Sequence, residues 1–86
     1  MAAVDTLAAK LVPAFEEILK LLCDDAFQVN PSITDAGNFL SIVLVATVSP
    51  ADEAAIQAQG GDAALLSLAA AMGARSGVAA VAFQFE

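Results

Sequence analysis

Histidine, tryptophan and tyrosine are absent from the chain, cysteine occurs once, and only three residues, Lys10, Lys20 and Arg75, carry positive charge. Each scarcity closes off a class of chemistry. A zinc site needs a cluster of Cys and His ligands, which one thiol and no imidazole cannot build. Ser or Cys nucleophiles are ordinarily activated by a histidine base, and no motif of the lysine-based kind stands in for it. With Cys23 alone, no intrachain disulfide forms, and its neighbours Asp24 and Asp25 discourage a reactive thiolate, so a buried structural role is expected. Ten acidic residues against three basic ones give a formal charge of -7, which repels a phosphate backbone and argues against nucleic acid as a partner. Long apolar runs are missing as well. The charge-free stretch from Ala36 to Ala51 contains Gly37, Asn38 and Pro50 and falls short of the ~20 apolar residues of a membrane helix. Residues 63–85 are broken by glycines and by Arg75 and Gln84, and Asp5 stands where a signal peptide would be positive. The expected product is intracellular or cytoplasmic, or part of a virion, with no membrane span and no cofactor.

Apolar residues, by contrast, are in excess. They make up 59% of the 86 residues, and the 5 glycines bring the apolar share well above the usual ~45–50% counted the same way. A domain of this size hides only about 60% of the surface of its unfolded chain. Alanine, about a quarter of the sequence, softens the excess. The remainder points to surface that another protein covers.

The pattern along the chain predicts a single domain, residues 1–86, of the α+β class in the order α-β-β-α-α-β. Leu7, Leu11, Phe15, Ile18 and Leu22, widened by Val12 and Leu19, form one helical stripe over residues 3–23, with Pro13 on the wet side and Glu16 placed to pair with Lys20. Phe27 and Val29 alternate with Gln28 and Asn30 as a short strand that Pro31 stops or marks as an edge, and Thr34, Asp35, Gly37 and Asn38 supply a turn. Phe39 to Val48 reads as the central strand, with Leu40, Ile42, Leu44, Ala46 and Val48 on one apolar face. Ser49-Pro50 followed by Asp52 starts a helix that Gly60-Gly61 stops; Asp62 then caps a short helix with a Leu65, Leu68 and Met72 stripe beside Leu66, closed by Gly73. In the last strand Ala79, Val81, Phe83 and Phe85 share one face, and Val78, Ala80, Ala82, Gln84 and Glu86 the other. About three strands with helices packed on one face result, the last two strands being parallel if their helical crossover is right-handed.

Candidate chemistry is sparse. Asp24, Asp25 and Asp35 would bind a hard cation only by meeting across the first hairpin, and solvated turn residues are the preferred reading. The pairs Glu16-Glu17 and Asp52-Glu53 have ready structural uses, and Gly60-Gly61 lacks the rest of a phosphate loop. The expected function is therefore that of a non-enzymatic structural or assembly subunit, binding itself or other proteins through apolar surface and strand-edge contacts at Val78, Ala80, Ala82, Phe83, Gln84 and Phe85. The alternative is an acidic module that masks a basic surface on a protein partner. A third reading, a small enzyme or ligand carrier working in an oligomeric cavity lined by Phe27, Phe39, Phe83 and Phe85, ranks below both.

Overall fold

A computed structural model describes residues 3–86. Its elements follow the expected α-β-β-α-α-β order: α1 (Ala3–Leu22), β1 (Gln28–Asp35), β2 (Leu40–Thr47), α2 (Pro50–Ala58), α3 (Gly61–Ser76) and β3 (Ala80–Phe85). The sheet is mixed. β2 is central, with β1 antiparallel on one side and β3 parallel on the other. The registers Val29 opposite Ala46, Ile42 opposite Val81 and Leu44 opposite Phe83 put every buried strand residue on the same face. Helix α1 covers that face over β1 and β2, and α3 covers it over β3. Phe15, Leu19, Ile42 and Leu44, all fully buried, form the centre, where each large side chain contributes about 1.5–3 kcal/mol of transfer free energy.

In α1 the buried row is Val4, Ala8, Leu11, Phe15 and Leu19. This is the predicted stripe rotated by part of a turn: Leu7 and Ile18 fall on its shoulders and Leu22 is 43% exposed. The apolar arc is wider than the line of contact with a sheet, and small Ala8 lets the helix approach along the Leu11, Phe15 and Leu19 row. Pro13 sits inside α1 on its exposed side, so the backbone bond it cannot donate is missing where water can compensate. Lys20 pairs with Glu17 at 2.9 Å rather than with Glu16.

Of the two readings of Pro31 the edge marker holds and the stop does not: it lies in the middle of an eight-residue strand, which is tolerated because β1 is an edge. Thr34 and Asp35 belong to that strand, and the turn is confined to residues 36–39. There Ala36 N–H donates to Phe39 O at 2.9 Å, and Gly37, at φ 82°, donates its N–H to the Asp35 carboxylate at 3.1 Å. At the start of α2, the Ser49 hydroxyl accepts the Asp52 N–H at 3.2 Å, as the sequence implied.

The second connecting helix departs from expectation. α3 begins at Gly61 with Gly60 as its N-cap, and Asp62 lies in its first turn without capping. Gly73 does not close it. The helix runs on to Ser76 and ends on Gly77 at φ 68°. The buried row is Leu65, Ala69 and Gly73, while Leu66 and Leu68 face outward at 46% and 37% exposure. A Cβ placed on Gly73 would lie 2.8 Å from Val81 N and 3.0 Å from Ala79 O, so the small residues of this row let α3 sit directly against the β3 backbone. A larger side chain at position 73 would not fit.

Candidate protein-docking edge

The site is built on β3, the last strand. Glu86 N–H donates to Ala46 O at 3.0 Å, and the Glu86 carboxylate accepts the Thr47 hydroxyl, so the end of β3 is fastened to β2. Successive residues of a strand direct their main-chain groups to opposite sides. Glu86, Gln84 and Ala82 therefore face β2, and the N–H and C=O groups of Val81, Phe83 and Phe85 face the outer edge. Gly73 of α3 abuts that edge at Val81. Beyond it, at Phe83 and Phe85, the strand borders a groove of about 420 Å³ whose other wall is Ala63 and Leu66 of α3.

The groove has an apolar floor and an acidic rim. Phe85 packs edge-to-face on Phe83 with ring centroids 5.3 Å apart, and Phe83 stacks on Phe15 of α1 at 5.5 Å, which fixes the floor to the core. Glu53 of α2, Asp62 of α3 and Glu86 surround it with carboxylates. An extended segment laid here would find free main-chain partners along β3 and an apolar contact at Leu66. The opposite edge of the sheet offers no equivalent, because Pro31 interrupts its donors midway.

The predicted contact residues divide among three places. Phe83 is core, and Phe85, half-buried, lines the groove. Ala80, Ala82 and Gln84 alternate to the opposite face of the sheet, beside the half-buried Val43 and Val45 of β2, and Gln84 also borders the groove. Val78 precedes β3 and borders a cleft shared with Ala3 and Leu7 of α1. The far wall of the groove, Ala63 and Leu66 with Glu53 and Asp62, was not anticipated. Its signal was present in the surplus of leucines on α3, more than one buried row can hold.

Other candidates have structural roles. Asp52 is the buried carboxylate of the molecule's described residues: its two oxygens accept the Asp24 N–H at 3.1 Å and the Asp25 N–H at 3.0 Å, pinning the α1–β1 connection to α2. These bonds, the one from Asp24 foremost, hold its pKa below the ordinary carboxylate value. Asp24 and Asp25 thus lie at one end of β1 and Asp35 at the other, so the three do not converge, and no group of three or more possible metal ligands occurs among the described residues. Burial, reinforced by Asp52, raises the pKa of the half-buried Cys23 thiol. Phe39 is exposed at the hairpin and Phe27 borders a cleft with Pro13 and Glu16, so within one copy the four phenylalanines do not line one cavity. No described helix is long and apolar enough to cross a membrane. Comparison of the chain with protein-family models, with curated proteins and with solved structures gave no match.

Proposed function

We propose that this protein is a non-enzymatic assembly subunit that docks on another protein by accepting an extended segment along the outer edge of β3. The observation that supports the reading is the asymmetry of the sheet: one edge is interrupted by Pro31, whereas the other presents Phe83 and Phe85 main-chain groups beside an apolar groove. The acidic rim selects among segments. Two copies pairing β3 to β3 would oppose one carboxylate cluster to another, so the favoured partner alternates apolar residues with lysine or arginine.

A short synthetic peptide alternating valine and threonine between terminal lysines tests this by NMR. Its addition should slow hydrogen exchange at the Phe83 and Phe85 amides, and Leu66→Glu should abolish the effect while leaving the fold intact, because Leu66 is half exposed. Protection confined to other residues, or none at millimolar peptide, would overturn the proposal. Salt separates it from the alternative of an acidic module that masks a basic surface. At about 1 M salt, where the Debye length is ~3 Å, strand addition keeps most of its strength and purely electrostatic masking is lost.

A further inference from the structure

A second groove lies between α1 and α3, and it shares no residue with the one beside β3. α1 rests on β1 and β2 and α3 on β3, and the gap between the two helices is an open slot of about 480 Å³. Leu7, Leu11, Ala71 and Met72 make its walls. Lys10 of α1 and Arg75 of α3 also line it, one from each helix. The placement of these two cations is unexpected by composition, since the chain has only three basic residues among ten acids. Lys20 is held by Glu17, whereas neither Lys10 nor Arg75 has an ion-pair or hydrogen-bond partner among the described residues. Among the described residues, no acidic one borders the slot.

From this combination we infer that the slot binds a single-chain anionic amphiphile, a long-chain carboxylate, with its tail between the helices and its head between Lys10 and Arg75. The volume falls within the ~300–1,000 Å³ usual for small-molecule sites. An extended peptide would find no main-chain partners on either wall, because both are helices whose backbone bonds are internal. A linear chain needs none. An adjoining cleft of about 360 Å³, which shares Leu7, Lys10 and Ser76, continues the slot toward Ala3 and gives a longer tail somewhere to lie.

Isothermal titration of the full chain with sodium dodecanoate, below its micelle concentration, tests the assignment. The expected result is one dodecanoate per chain, with dodecanol bound more weakly. Lys10→Gln with Arg75→Gln should weaken dodecanoate about tenfold, the scale of two partly exposed charge contacts of roughly 0.7 kcal/mol each, and leave dodecanol unchanged. Ala71→Trp, on an exposed position of α3, should fill the slot and abolish binding of both, with circular dichroism and Tm preserved. Several results would each overturn the inference: equal affinity for the acid and the alcohol, binding indifferent to both changes, or many dodecanoates per chain with loss of structure. So would a concentration-dependent dimer that the Gln pair dissociates, which would make a second copy the occupant. None of these readouts moves with the Leu66→Glu change that tests strand docking.

Discussion

Replacing the glycine at position 73 with alanine is a sharp test of how α3 meets β3. In an ordinary helix interior the change stabilises, by about 1 kcal/mol, because alanine has the better propensity. Here the new Cβ would stand 2.8 Å from Val81 N, 2.9 Å from Val81 Cγ2 and 3.0 Å from Ala79 O. Two of these three atoms are backbone, so no side-chain rotation relieves the contact and α3 must lift from β3. Overpacking of this kind costs about 1–3 kcal/mol. The difference is a net loss centred near 1 kcal/mol, and for a domain of this size each kcal/mol lowers Tm by about 4–8 °C. Thermal melting followed by circular dichroism measures it directly. The companion variant Gly73→Ala with Val81→Ala removes only the Cγ2 contact and should not recover the loss. A rise in Tm for Gly73→Ala would refute the close approach of helix and strand, and with it the covering of the first part of the β3 edge.

Three further outcomes follow from the geometry. Phe83→Ala should cost about 3–5 kcal/mol in urea unfolding, since the ring is buried and stacked on Phe15. Removing residues 82–86 should unfold the chain, as it deletes Phe83, Phe85 and the Glu86 bonds to β2; a truncated protein with native circular dichroism would show that the strand is dispensable. The third concerns acid. The Asp52 pKa is depressed below 3.8 in the folded state, so its stabilising contribution is complete above that value and is lost as pH falls from there through the folded pKa. Asp52→Asn should therefore lower stability near neutrality and flatten the acid limb of a stability–pH curve below the ordinary carboxylate value of 3.8. An unchanged slope would mean that the bonds from Asp24 and Asp25 do not depend on the charge.

Elements carried by strong local chemistry were legible in the sequence. Period-two alternation with β-branched residues located β2 and β3 and assigned their faces, and Ser49-Pro50 marked the start of α2 through a cap that the structure contains. What failed needed tertiary knowledge. Gly73 resembles a helix terminator until the strand beside it is known, because close approach and chain reversal use the same residue. Pro31 fits a strand breaker or an edge marker equally well in sequence, and only the outermost place of β1 decides for the edge. Asp52 looks locally like one of a helix-start pair, and nothing nearby in sequence reveals that the amides of Asp24 and Asp25 come to it from 28 and 27 residues away. The docking groove was half visible for the same reason: its floor is a single stretch of sequence, but its far wall comes from α2 and α3.

The inequality of the two sheet edges sets a valence. A sheet that is competent on both sides can be a link in a growing row, passing hydrogen bonding from one neighbour to the next without limit. A sheet interrupted at Pro31 and receptive only at β3 has one bond to give. On the proposed docking by strand addition, each copy would take a single partner at β3 and, with Pro31 interrupting the other edge, would finish an assembly instead of propagating one.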